Sequence, residues 1–325
     1  MKWRAPPPAI EAASRVRSMD FLYVANNVII LFLLLGVGYG SSVTGILNQN
    51  TTCHLSKFVL YVTLPALIVA SMQVPITPEL VEGMRDLALA ILVFYAVSLP
   101  IAWIVPGLLN SPPEEASIYR FVLVFSNIAF MGFPIIENLF GTEGLFYAAI
   151  FNIPFRVLIF SIGVLMITGA GSAGRRLTPG VLASPAILAS FLGLALFLTG
   201  VRIPSPLIDL LDLLGGTTTT LAMVVVGSIL ASLPAREVVQ NRKAYLVSLT
   251  RLLLIPAVLW LVLRTVTTDP LVIGVVVMLG AMPAAANCAL LAGEYGANPE
   301  LASSIVFIST LGSVLTIPFI ATVLF

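Results

Sequence analysis

Apolar runs dominate the chain, and short polar stretches divide them into segments of similar length. They lie near residues 21–40, 56–73, 86–108, 118–139, 144–168, 179–199, 206–233, 245–266, 270–292 and 300–324. Each is close to the roughly 20 residues that an α-helix needs to cross a hydrocarbon core. The pattern predicts an all-α membrane protein of ten transmembrane helices with no inserted soluble domain. Residues 1–20 lack an apolar core and read as a mobile N-terminal tail rather than a signal peptide. The longest polar break near the middle, Gly169 to Pro179, separates five spans from five. The expected organisation is a tail at 1–20, a five-span repeat at 21–168, a connecting loop at 169–178 and a second five-span repeat at 179–325. With an odd number of spans per half, the second copy must enter the membrane from the opposite face, as in inverted-repeat transporters.

Two spans do not read as straight helices. Phe125 to Gly141, FSNIAFMGFPIIENLFG, carries Asn127, a Gly132-Phe133-Pro134 breaker and Glu137. Leu279 to Gly296, LGAMPAAANCALLAGEYG, carries Pro283, Asn287 and Glu294. Proline removes a backbone donor and clashes with the preceding turn, so breaks are expected at Pro134 and Pro283. In lipid, freed backbone groups persist only where protein or a wet cavity satisfies them. Either stretch alone could be an ordinary proline kink. Interrupted spans at corresponding places in two halves point instead to a binding site between half-helices. Their N-terminal ends present unpaired N–H groups and partial positive charge, and an Asn amide adds an orienting donor. That combination suits a carboxylate on an apolar body.

Composition narrows the remaining possibilities. The chain is 59% hydrophobic and 10% charged, with mean hydropathy +1.06, more apolar surface than a soluble protein could hide. Sixteen Lys and Arg against fifteen Asp and Glu leave no excess to attract nucleic acid. Cys53 and the single histidine, His54, fall in the Gly40 to Lys57 connection and Cys288 in a span; they suggest no disulfide framework, metal site or catalytic set. No phosphate-binding loop, zinc signature or nucleophile elbow is present, so neither an enzyme nor an ATP-driven pump is indicated, and no cofactor is implied. With the tail and the residues inside spans set aside, Lys57, Arg120, Arg175, Arg176, Arg236, Arg242 and Lys243 outnumber Arg85, Arg202 and Arg264 on the opposite loops, which places the N-terminus outside.

Charged residues at membrane depth are functional candidates. Arg156 lies near the middle of the fifth span with Asn152 one turn before it on the same face. It is either a counter-ion for an acidic substrate or the partner of a carboxylate such as Glu137. Arg251 is expected to reach the interface. Gly215 to Thr220 is either an unwound patch or a set of threonines bonding back to their own helix.

Asn127-Ile-Ala-Phe-Met-Gly-Phe-Pro134, Ala281-Met-Pro283 with Glu294-Tyr295, Leu64-Pro65 and Gly227-Ser-Ile-Leu230 occur in an order and spacing that resembles the auxin efflux carrier family. The family includes plant PIN carriers and bacterial carboxylate carriers. The resemblance implies two inverted five-span repeats like those of sodium–bile acid symporters, with broken fourth and ninth helices crossing in a mobile transport domain. It implies a scaffold of the first, second, sixth and seventh spans that holds a homodimer. It places Asn127, Asn152 and the backbone near Pro134 and Pro283 at the substrate; Arg156 and Asn287 complete the candidate set. The sequence departs from plant carriers in lacking their long cytoplasmic loop and in reading Ala284-Ala285-Ala286-Asn287 after the second break. The expected activity is alternating-access transport of a small organic carboxylate, auxin-like or a dicarboxylate, across the plasma or inner membrane. The alternatives are a sodium-coupled bile-acid-type symporter and a membrane receptor that binds without transport.

Overall fold

The computed structural model describes residues 21–168, 184–232, 241–285, 288–295 and 297–323. The N-terminal tail, the central loop with Arg175 and Arg176, and Asn287 lie outside them. The described chain is predominantly helical: α1 (Phe21–Val43), α2 (Gln49–Ser71), α3 (Pro78–Leu108), α4 (Pro113–Val124), α5 (Ile128–Leu158, interrupted by a kink at Gly141, whose φ of 66° is not helical), α6 (Val164–Thr168), α7 (Pro185–Thr199), α8 (Leu207–Gly216), α9 (Thr218–Ser232), α10 (Arg242–Val266), α11 (Pro270–Ala281), α12 (Cys288–Glu294) and α13 (Pro299–Val323). Among the described residues, five helices are long and apolar enough to cross a membrane: α2, α3, the α8–α9 pair, α10 and α13. A sixth is added if α5 and the helix after it, bent by 43°, are taken as one span. Leu33, Leu92, Leu213 and Leu315 are exposed on the outside, as side chains that face lipid rather than water would be.

Helix starts follow a recurring local rule. α3, α4, α7, α11 and α13 each begin at a proline: Pro78, Pro113, Pro185, Pro270 and Pro299. At the first helical position the missing N–H would be unpaired anyway, and the ring presets φ. The preceding residue often caps: Thr77 Oγ1 accepts from Leu80 N at 3.2 Å, Asp269 Oδ1 from Leu271 N at 2.8 Å and Asn298 Oδ1 from Leu301 N at 2.9 Å. Asn298-Pro299-Glu300 shows all three elements of this rule, a cap, a first-turn proline and a first-turn acid. The Gly40 to Lys57 stretch is not all connection. Asn48 caps α2 through Thr51 N at 2.9 Å, so Cys53 and His54 are helical.

Pro100, Pro106, Pro154 and Pro318 lie inside α-helices, whereas three other prolines are absorbed by wide turns. π turns at Val59–Thr63, Ile128–Gly132 and Thr250–Leu254 each end two residues before a proline: Pro65, Pro134 and Pro256. In each, the N–H one residue before the proline reaches back five residues, to Val59, Ile128 or Thr250. The wider turn makes room for the ring and leaves the helix running.

The helices pack in two groups. α1, α2, α7, α8 and α9 form one; α3, α4, α5, α10, α11, α12 and α13 form the other, with α5 and α13 also touching the first group. α1 and α9 come so close that a Cβ at Gly38 would collide with the Val224 carbonyl, and one at Gly227 with the Leu35 carbonyl. Close backbone approach at small residues is how helices associate without a water-driven force. The Gly215–Thr220 stretch holds a local turn at Thr217, whose hydroxyl bonds back to Leu214 O at 2.7 Å, while Thr219 reaches across to Glu137 at 2.7 Å.

Candidate substrate site

The breaks meet. α4 ends at Val124, and Phe125 and Ser126 run extended before the chain turns at Asn127 into α5; α11 ends at Ala281, and the chain from Met282 to Ala285 is non-helical before α12. The two extended pieces lie antiparallel, with Ser126 opposite Ala284. Asn127 N donates to Pro283 O at 2.9 Å and Ala285 N to Phe125 O at 3.2 Å. Ala284 N donates to Ser309 Oγ on α13 at 3.1 Å. Backbone groups freed by one break are thus satisfied by the other, which is what lets extended chain persist inside a membrane protein. Pro283 enforces its side of the pair: the residue before a proline is held out of the helical region, and Met282 has φ −63° and ψ 147°.

The first break is displaced from its expected position at Gly132–Pro134. It falls upstream, at Phe125–Asn127, because the π turn Ile128–Gly132 accommodates Pro134 inside the helix. Pro134 is buried in α5 and does not line the cavity at the crossing. Asn127 takes the N-cap position: its Oδ1 accepts from Phe130 N at 3.3 Å. With the amide oxygen turned to the backbone, the NH2 end is the part able to donate to a ligand.

A cavity of about 460 Å³, including its open mouth, lies beside this cap. Ser126, Asn127, Asn152 and Arg156 supply its polar groups; Leu60, Ile128, Phe130, Phe155 and Ile159 supply apolar wall, and Ala285 closes it from the second break. Asn152 is 1% exposed, yet neither its Oδ1 nor its Nδ2 has a protein partner; the buried Ser126 Oγ has none either. An unpaired buried amide costs about 1–3 kcal/mol, so such groups in a cavity wall mark a place where a ligand or water completes the bonding. Arg156 has no carboxylate within ion-pair distance among the described residues, where the one pair is Lys243–Glu115 at 3.5 Å. Glu137, its suggested partner, instead accepts the Thr219 hydroxyl.

Of the six candidate residues, Asn127, Asn152 and Arg156 line one cavity. Pro283 accepts the backbone N–H of Asn127, Pro134 stands apart, and Asn287 is outside the described residues. The sequence reading missed Ser126 and Arg251. Ser126 adjoins Asn127 and needed only that hint. Arg251 does not reach an interface: it is 0% exposed, its Nε donates to Met282 O at 3.1 Å and its Nη1 to Leu123 O at 2.8 Å.

Apolar-faced helices surrounding a small, partly polar cavity, built where two broken helices cross-pair, describe an integral membrane protein. The membrane transport protein family matches residues 23–180 and again residues 175–321, and the chain belongs to this family, that of the auxin efflux carriers. It is a transporter-family protein and not an enzyme. An uncharacterized transporter of Methanothermobacter thermautotrophicus is 27% identical over 319 residues, covering 94% of this chain and 100% of the relative. A Rhizobium meliloti protein named "Putative malonate transporter" is 27% identical over 273 residues, 81% of this chain and 84% of the relative. An uncharacterized transporter of Methanocaldococcus jannaschii is 23% identical over 298 residues, 89% and 95% of the two chains.

Proposed function

We propose that this protein is a secondary carrier or uniporter that moves a small organic carboxylate across the plasma or inner membrane by alternating access. In this reading the chain makes ten spans in two inverted repeats, 21–168 and 179–325, and works as a homodimer. The group of α3, α4, α5 and α10 to α13 moves against the group of α1, α2 and α7 to α9 in an elevator-type motion. The observation that carries the proposal is the cavity beside the Asn127 cap. It offers one unpaired cation, Arg156, and an unpartnered buried amide, Asn152, against an apolar wall. Arg156 supplies charge, Asn127 and Asn152 orient the carboxylate, and Leu60, Phe130, Phe155 and Ile159 meet its carbon body. Malonate is a reasonable first probe given the name of the Rhizobium meliloti relative; indole-3-acetate tests the auxin-like class.

Equilibrium binding and liposome flux of labelled malonate, malate and indole-3-acetate test the proposal. At least one should bind and turn over. Losing a hydrogen bond to a charged group costs about 1.5–3 kcal/mol, roughly ten- to hundredfold in affinity. Asn127→Ala should weaken binding of that probe by this order, and Arg156→Gln by at least as much with thermal stability retained. Binding without flux would identify a receptor. Flux that collapses when sodium is replaced by choline at fixed membrane potential would identify a sodium symporter.

A further inference from the structure

The most deeply buried charge in the described chain has no part in the cavity. Arg251 sits on the π turn of α10, fully enclosed, with no carboxylate in ion-pair distance among the described residues. Two backbone carbonyls hold it, one from each break: Leu123 O, in the last turn of α4, and Met282 O, at the C-cap of α11. Leu123 O would have served the N–H of Asn127 had the helix continued, but that N–H turns to Pro283 O instead. Both carbonyls therefore lie where a helix is stopped inside the protein, Leu123 O within the last turn of α4 and Met282 O on the extended residue that ends α11. Each such end carries about half a negative charge. Two of them converging in a dry interior make a cation site of roughly one unit charge, and carbonyl oxygens are the ligands that a monovalent metal ion would take there. The guanidinium matches that charge and presents its donors in a rigid fork.

We propose that Arg251 is a built-in cation of the crossing, standing where a bound metal ion would otherwise be needed and holding the two extended segments in register, so that Asn127 and Ala285 face the cavity. It is a positioning residue: it touches neither the cavity wall nor, on the carrier reading on which this last step rests, the substrate. Its Nη2 is buried with no partner among the described residues, so the fork is not saturated by the protein. Lysine at this place would keep the charge but offer a single nitrogen to both carbonyls. A neutral residue would leave two helix ends facing each other uncompensated.

The test uses the purified full chain in detergent, with melting temperature read in choline, sodium and potassium chlorides at matched ionic strength. The wild type should melt at one temperature in all three. Arg251→Ala should melt several degrees lower in choline. Sodium, or guanidinium chloride at low millimolar concentration, should raise it saturably, because the vacated carbonyls then accept an external cation. A general packing defect would not respond to the cation. An alanine variant as stable as the wild type, or one destabilised without rescue by any of the cations, overturns the proposal. If Arg251→Ala yields no folded protein, the wild type and Arg251→Lys decide. A cation-independent wild type with a folded, less stable lysine variant supports the proposal; saturable sodium stabilisation of the wild type overturns it. The melting arm needs no substrate, so failure of every carboxylate probe to bind would sink the carrier reading and leave this inference standing.

Discussion

Asn152 shows how a single residue separates the needs of the fold from those of a ligand. Its amide is enclosed and unpaired on both atoms, which a folded chain tolerates only at a cost. If the amide serves a ligand, Asn152→Leu should remove that cost and bind worse. The expected result is a melting temperature equal to or above that of the wild type, with affinity for the bound carboxylate down at least tenfold, about 1.4 kcal/mol. Calorimetry and equilibrium binding on the same preparation check it; a variant that is destabilised and binds normally would make Asn152 structural. That Asn127, Asn152 and Arg156 were candidates was legible in the sequence, because amides and cations are rare inside apolar spans. Asn127's second duty was not. Capping the Phe130 N–H depends on where the helix begins, and that start is set by the partner strand rather than by local residue preferences.

At the scale of an element, Pro134 and Asp269 make separate predictions. Pro134→Ala restores an N–H and removes the ring that holds the π turn open, so Ile128–Gly132 can relax toward an α turn. The residues upstream would then rotate relative to Asn152, and affinity should drop about tenfold with melting temperature unchanged or raised. Unchanged affinity would show that packing at the crossing holds the wide turn without the proline. Asp269 caps α11 from the loop before it. Burial holds its carboxyl above the usual carboxylate range; the Leu271 and Val272 N–H groups pull it down, and the Asp86 carboxylate adds to the rise. Between the usual range and that raised value, the folded chain keeps a proton that the unfolded chain has released. The contribution is therefore fully present at pH below the usual range and is lost as pH rises through the window. Asp269→Asn keeps the cap without the charge. It should melt higher than the wild type at neutral pH and with a flatter pH profile, measured by thermal unfolding from acid to neutral pH.

For the whole molecule the prediction concerns sidedness. An inverted arrangement with the N-terminus outside places residue 175 in the cytoplasm and residue 322 on the other face. Single cysteines at Arg175 and Thr322, in a background lacking the exposed Cys53 and the buried Cys288, should label from opposite sides of intact cells. Labelling of both from one side would rule out two inverted five-span repeats. The two packed groups of helices bear on the same question, since a motion between them would have to break the bond from Thr219 to Glu137 that links α9 to α5.

What the sequence determined by itself was the solvent and the grammar of the helices. Apolar runs of membrane length, proline starts with capping residues before them, and amides near interrupted spans all follow from short-range chemistry readable in order along the chain. The interruption at Pro283 was likewise local, because the ring acts on its immediate neighbour. Only the tertiary structure decided where the other break falls. Phe125 to Asn127 contain no proline and stay out of the helix because Pro283 and Ala285, far away in sequence, take their backbone bonds. The same holds for Arg251. In sequence it is one arginine between a threonine and leucines, and an arginine near a span end ordinarily reaches water. Its burial is set by two helix ends that the fold brings to it, and partial charges on distant carbonyls leave no mark in the pattern of apolar and polar residues around it.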